Sequence, residues 1–236
     1  MSGPMKSRSS RKAKKILVID VGGTHIKVLA TGQRTEREIL SGPTMTARKM
    51  VREVRRATKD WKYDVISIGY PGPVTHGHPL REPHNLGRGW VGFDYAKAFG
   101  RPVQMINDAA MQALGSYRGG RMLFLGLGTG LGSAMIVDEI LEPMELAHLP
   151  YRKGHTYEHY LGSRGLKRLG KMKWRRHVTD VVRRLRDALE ADYVVLGGGN
   201  SKLIKKLPPS TLLGDNHNAF IGGFRLWETK ARTRPN

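Results

Sequence analysis

Two aspartates and three clusters of glycines in this 236-residue chain have the types and spacing that chemistry on phosphates requires. Asp20 closes the apolar run ILVID, and Val21, Gly22, Gly23 and Thr24 follow before the chain becomes apolar again with near alternation. A dinucleotide loop needs GxGxxG opening a helix, and a P-loop needs GxxxxGK before Ser or Thr; this turn is neither. The β-branched alternation after Thr24 predicts a second strand and makes the turn a hairpin. Glycines let backbone N–H groups close on an anion, Thr24 adds a hydroxyl, and Asp20 stands where a carboxylate can hold a metal ion beside that anion.

The stretch LFLGLGTGLGSAMIV repeats the pattern with Gly128, Thr129, Gly130 and Gly132. Either turn taken singly reads equally well as a tight hairpin, but the pair predicts two half-sites facing each other across a cleft. In DYVVLGGGNSK, Gly197, Gly198 and Gly199 suit close backbone approach to a flat ring or a phosphate, or a plain strand-to-helix turn. Asp108, in QMINDAAMQALGSY, lies where a strand gives way to a helix. That is an N-cap position, and it is also the strand end where open α/β sheets gather ligands. A carboxylate held there can accept a proton from a hydroxyl nucleophile.

The elements that must position these groups follow from periodicity. Strands are predicted over 15–20, 25–30, 65–69, 103–106, 122–127, 133–137 and 193–196, and helices over 47–61, 95–99, 109–117, 174–189 and 218–226. A hairpin first and alternation with helices afterwards predict the α/β class with mixed sheets. The connection over 71–90, rich in Pro, Gly and His, is long enough to be a functional loop. Two lobes are expected, 15–107 and 108–236, with the last helix packing back on the first lobe and a disordered basic tail over 1–14.

Charge bounds the partners. The chain carries 41 Lys and Arg against 20 Asp and Glu, a formal net charge of +21, and such an excess favours nucleic acid, a membrane surface or a long phosphate polymer. Part of it lies in the tail and part in SRGLKRLGKMKWRRHVTDVVRRLRDAL, where Trp174, Val178, Val181, Val182, Leu185 and Leu189 repeat at helical spacing with arginines on the other side. Each arginine there reads singly as part of a solvated face. Aromatic residues make up 7% of the chain, too few for the interleaved stacking that single-strand binding uses, so nucleic acid is not expected as a partner. No apolar run approaches a membrane span, no signal peptide is read at the start, and cysteine is absent, so the expectation is a cytoplasmic protein without thiolate metal sites.

Taken in order, DVGGTHIK, YPGPV, REPHNLGRGWVG, IND, LGTGLGSA, ELAH and LGGGN resemble the ROK family of sugar kinases, within the actin-like (ribonuclease H-like) ATPase fold, and the bacterial polyphosphate glucokinases within that family. The resemblance runs over 15–227. It implies a two-lobed fold with a cleft, and phosphoryl transfer to the 6-hydroxyl of glucose with Mg²⁺ and with ATP, inorganic polyphosphate or both as donor. Asp20, Gly22, Gly23, Thr24 and Lys27 match its first phosphate motif, with Asp20 toward Mg²⁺. Gly128, Thr129, Gly130 and Gly132 match the second, and Gly197, Gly198 and Gly199 match the adenosine-side motif. Asp108 matches the catalytic base, while Asn85, Asn107, Glu145, His148 and Glu158 fall where the family binds sugar hydroxyls. A homodimer is the family habit. The chain departs from the family in ELAH, with Ala147 for the usual glycine, and in lacking the cysteine-rich zinc motif, so no zinc is expected and YRKGHTYEHYLG must shape the pocket without metal. Only a short basic stretch precedes the first strand, so a transcription factor is not expected. The alternatives are an ATP-dependent kinase for another hexose and a non-catalytic sugar- or nucleic-acid-binding protein of the same family.

Overall fold

The computed structural model describes residues 13–215 and 217–228; most of the expected disordered tail, residues 1–12, therefore lies outside the described residues. In the first lobe the order along the chain is β1 (Ile16–Val21), β2 (His25–Ala30), β3 (Arg37–Leu40), α1 (Ala47–Ala57), β4 (Val65–Tyr70), β5 (Val74–Thr75), β6 (His78–Pro79), α2 (Tyr95–Phe99) and β7 (Val103–Asn107). Its five-stranded sheet runs β3-β2-β1-β4-β7. β1 pairs antiparallel with β2 and parallel with β4, so the glycine turn after Val21 is a hairpin whose register sets Asp20 opposite Lys27. Both faces of β1 and β4 are covered, and these strands read as near-continuous apolar runs for that reason.

The second lobe repeats the arrangement. α3 (Asp108–Ser116) leads into β8 (Arg121–Leu127), β9 (Leu131–Val137) and β10 (Ile140–Met144), then the small hairpin of β11 (Pro150–Arg152) and β12 (His155–Thr156), then α4 (Tyr157–Leu161) and α5 (Ser163–Ala188). β13 (Tyr193–Gly197), β14 (Thr211–Leu213) and α6 (Asn218–Glu228) complete it. Its sheet runs β10-β9-β8-β13-β14, antiparallel among the first three and parallel thereafter. The α/β class with mixed sheets is as the sequence predicts. Among the described residues no helix is long and apolar enough to cross a membrane.

The structure departs from the predicted elements in ways that have physical causes. β3, β10 and β14 are edge strands, with too few buried residues to imprint alternation on the sequence. α1 stops at Ala57, because Thr58 turns its hydroxyl back to the Val54 carbonyl (2.9 Å) and the chain then bends to bury Trp61. α5 begins at Ser163, eleven residues before the predicted start, and kinks at Gly170 (φ 72°, ψ 160°); a left-handed φ of this kind is open to glycine at little cost. Beyond the kink Trp174, Val178, Val181, Val182 and Leu185 pack on Leu123, Leu125, Val194 and Leu196.

Two helices join the lobes. α3 and α6 cross with their backbones in contact: a Cβ on Gly115 would run into the Asn218 carbonyl, and one on Gly222 into that of Met111. α6 also lies against β1 and β4, where the Ser67 hydroxyl donates to the Gly223 carbonyl (2.6 Å) and Met111, Ala219 and Phe220 share a core with Ile16, Val18 and Val65. The helix that starts at Asp108 is thereby tied to the sheet that carries Asp20.

Candidate active site

A cleft of about 1050 Å³ opens between the lobes, and both glycine turns line it. In the first turn Gly22 N–H closes on the His25 carbonyl (3.0 Å), and a Cβ at Gly22 would stand 2.6 Å from that oxygen. Gly23 packs against Asn85, where an added Cβ would approach the Asn85 Cβ to 3.3 Å. In the second turn Gly128 N–H reaches the Gly130 carbonyl (3.2 Å), Gly130 lies on the Glu158 carboxylate, and an added Cβ on Gly132 would come within 2.7 Å of Ala109. Thr24 and Thr129 line the cleft beside them.

Asp108 lies between the turns. It is the first residue of α3 rather than the N-cap, because Asn107 occupies the cap position and its Oδ1 accepts from Ala109 N–H (2.9 Å) and Ala110 N–H (3.2 Å). Asn107 Nδ2 donates to the Gly72 carbonyl (3.0 Å), so one amide proton is left for a ligand. With the cap supplied by its neighbour, the Asp108 carboxyl is turned into the cleft, where Oδ1 also accepts from Ala109 N–H (2.8 Å). Burial pushes its pKa up to about 6 against the pull of that N–H.

Asp20 sits behind the first turn, half-buried and with no hydrogen-bond partner among the described residues. Burial first, and then the Asp108 carboxylate, push it up to about 7. Asp20 is not itself among the residues lining the cleft; a carboxyl without a bonded cation, within electrostatic reach of Asp108, suits a divalent ion held by one or two protein oxygens and completed by phosphate oxygens, and Asp20 is the residue that would hold it. Among the described residues no three His, Cys, Asp or Glu side chains come together as a metal site.

The shifted pair has a stability signature. In the fold both carboxyls keep protons that an unfolded chain releases near pH 4, so stability contributed by Asp20 is present at low pH and is lost as pH rises through about 7. Asp20→Asn in metal-free buffer is therefore expected to gain on the unsubstituted protein by about 2 kcal/mol between pH 5 and pH 8, read as the difference between their urea midpoints at the two pH values. A difference that stays constant with pH would remove the shifted Asp20.

Other expected residues fall into two groups. Asn85 lines the cleft on a loop held from behind: the Glu82 carboxylate accepts from Trp90 N–H (3.1 Å) and Val91 N–H (3.3 Å), and Trp90 Nε1 donates to the Met45 carbonyl (3.2 Å). Glu145 is brought to the cleft by Ser133, whose hydroxyl donates to Met144 O (2.8 Å) and accepts from Leu146 N–H (3.1 Å). Glu158 lines it too, with Oε2 taking the Leu131 N–H (3.2 Å). By contrast, Lys27 does not line the cleft; its ammonium is held by Glu36 (2.6 Å) and Glu38 (3.0 Å) across the β2–β3 hairpin. His148 is 72% exposed on the short 3₁₀ turn, 3.9 Å from Glu145, and is also outside the lining. Of the third glycine cluster only Gly198 (φ 79°) reaches the cleft, since Gly197 faces the Phe124 ring.

Gln112 and Arg164 line the cleft without an expectation from the sequence, and His159, which flanks Glu158, lines it too. Gln112 was legible, since it lies one helical turn after Asp108 and so on the same face. His159 stacks on His155 with centroids 3.9 Å apart, and Arg164 was hidden in the long basic run.

Comparison with known proteins bears on this geometry. The sequence model of the ROK family matches residues 16–143. A polyphosphate glucokinase of Mycobacterium tuberculosis (strain CDC 1551 / Oshkosh) is 30% identical over 212 residues, which cover 81% of this chain and 80% of the relative. Among solved structures, an inorganic polyphosphate/ATP-glucomannokinase from Arthrobacter sp. strain KM superimposes with a TM-score of 0.76 at 23% identity, over 90% of this chain and 98% of its own. A ROK family glucokinase from Streptomyces griseus, solved in complex with glucose and AMPPNP, gives 0.69 at 17% identity over 90% and 98%. At these identities the two structures establish the two-lobed ROK kinase fold.

Proposed function

This chain belongs to the ROK family, and from that premise we propose that it is a hexose kinase, moving a phosphoryl group from inorganic polyphosphate, ATP or both to the 6-hydroxyl of glucose. The observation that carries the reading is Asp108, a carboxyl of raised pKa that lines a cleft together with two glycine turns.

In this reading the sugar lies against Asn85, Glu145 and the free edge of Glu158, with Asn107 giving its one spare amide proton. Paired donors and acceptors of this kind distinguish the stereochemistry of a ring of hydroxyls. Asp108 takes the proton of the 6-hydroxyl as that oxygen bonds to the terminal phosphorus. The bridging P–O bond of the donor breaks and its electron pair leaves with a polyphosphate one unit shorter, or with ADP. The backbone N–H groups of the two turns hold the donor oxygens, so the chain's contribution is positioning and charge stabilisation. Mg²⁺ held by Asp20 would neutralise charge on the donor phosphates. Lys27, paired with Glu36 and Glu38, has no part in this account. A cytoplasmic homodimer completes the proposal.

The test is a hexose panel assayed with polyphosphate and with ATP in parallel. Glucose turnover is expected with polyphosphate, and raising salt from about 50 to 300 mM should cut that rate about tenfold while the ATP rate falls less, because a polymer meets basic side chains beyond the site. No hexose phosphorylation with either donor at any ionic strength would end the proposal.

A further inference from the structure

Among the described residues Arg164 is the one Lys or Arg that lines the cleft, and the chemistry above does not use it. Its side chain is exposed and makes no hydrogen bond or ion pair among the described residues. The backbone that carries it is nevertheless anchored. The preceding residue, Ser163, donates its N–H to the Gly128 carbonyl (3.1 Å) and to the Thr129 carbonyl (3.1 Å), and its hydroxyl to Gly128 as well (2.8 Å). Asn200 Nδ2 donates to the same Gly128 carbonyl (3.2 Å) and to Ser163 Oγ (3.2 Å). One carbonyl of the second phosphate turn thus gathers three donors, and the start of α5 is fastened to that turn.

The same fastening alters the third glycine cluster. Asn200, directly after it, has its amide committed to Gly128 and Ser163, and the cluster presents to the cleft Gly198 alone. Of that cluster, expected to take a nucleoside, the cleft is therefore lined by one residue, together with the guanidinium-bearing Arg164. A guanidinium without a carboxylate partner, on a residue whose backbone neighbour is fastened to a phosphate-type turn, matches phosphate oxygens in a way a flat base does not require. One turn farther along α5, Lys167 is also exposed and without a bonded partner, whereas Arg168 is committed to the His159 carbonyl (2.9 Å) and lies over Tyr160.

We infer that Arg164 is the donor-side phosphate contact of this cleft, and that with Lys167 it leads a linear phosphate chain outward, selecting inorganic polyphosphate over a nucleoside triphosphate. The inference rests on the phosphoryl-transfer reading of the cleft. General charge is the competing account, and the molecule supplies its own control: a second basic groove of about 590 Å³ between α1 and α2, lined by Arg48, Arg52, Arg55 and Lys97, lies outside the cleft.

The experiment measures binding of end-labelled inorganic polyphosphate by fluorescence anisotropy, without sugar, for the unsubstituted protein, Arg164→Ala, Arg164→Lys and Arg48→Ala. Losing one charge-assisted phosphate contact should weaken binding about tenfold or more in Arg164→Ala, with part restored in Arg164→Lys and less than about twofold change in Arg48→Ala. In turnover the KM for polyphosphate should rise by the same factor, with the KM for glucose and the melting temperature unmoved and the KM for ATP shifted less than about threefold. Equal weakening by Arg164→Ala and Arg48→Ala, or no polyphosphate binding at all, overturns the inference. An equal rise in both donor KM values overturns the selection. Polyphosphate binding that depends on Arg164 in a protein that phosphorylates no hexose would leave the contact standing and remove the kinase reading. Hexose turnover with binding indifferent to Arg164 would do the reverse.

Discussion

Asp108→Asn is expected to lower kcat for glucose phosphorylation by about 10²–10⁴-fold, the range over which a positioned general base contributes, while the KM for glucose moves little. The substitution isolates proton acceptance because the local structure does not depend on the charge. Asn107 supplies the helix cap through Ala109 and Ala110, and an amide oxygen at 108 can still accept from Ala109 N–H, as Asp108 Oδ1 does at 2.8 Å. Stability should hold or rise, since a buried carboxyl that acts electrostatically on Asp20 is gone. The unsubstituted enzyme should show kcat/KM rising with pH through about 6, where Asp108 loses its proton. The transition state of phosphoryl transfer is loose and asks little of a base early on, which argues for the lower half of the range. Turnover that survives Asp108→Asn within a few-fold would exclude Asp108 as the base.

Gly222→Ala is expected to cost about 3 kcal/mol of stability, at the upper end of what overpacking exacts, and to depress kcat in the protein that remains folded. At Gly222 the two helix backbones touch, and a methyl group there meets the Met111 carbonyl, which cannot swing aside as a side chain would. α3 must then move off α6. Because α3 begins at Asp108 and α6 rests on β1 and β4 through Ser67 and Gly223, that shift separates the carboxyl at 108 from the sheet bearing Asp20. Gly199→Ala is the companion measurement: nothing lies within 4 Å of a Cβ there, and its urea midpoint and kcat should match those of the parent. A Gly222→Ala protein as stable and as active as the parent would show that the crossing carries no constraint.

Much of this architecture could be read along the chain because it is short-range. Alternation at a period of two, interrupted by two or three glycines, reports a strand-turn-strand unit within about fifteen residues, and both glycine turns are of that kind. The change at 107–108 from an apolar strand to an Ala-rich helix was legible for the same reason. The short edge strands were not, since β3, β10 and β14 bury too little to leave a pattern.

Which side chains meet in the cleft is a different order of question, and it was settled by contacts between residues far apart in the chain. Lys27 reads as a phosphate ligand until β3 folds beside β2 and brings Glu36 and Glu38 to its ammonium. Asn107 reads as a sugar contact, and the Gly72 carbonyl, 35 residues away, takes half its amide. The three glycines after β13 look alike in sequence; one faces the cleft because Phe124 and Leu127 of β8 stand against its neighbour and itself. Arg164 is one of many arginines in a basic stretch until Gly128, 35 residues before its neighbour Ser163, fastens that neighbour to the turn. Local periodicity can place a group at the end of a strand or the start of a helix. The direction its side chain takes, and the partner it finds, depend on how two sheets and two crossing helices pack, and that information is spread over the whole chain.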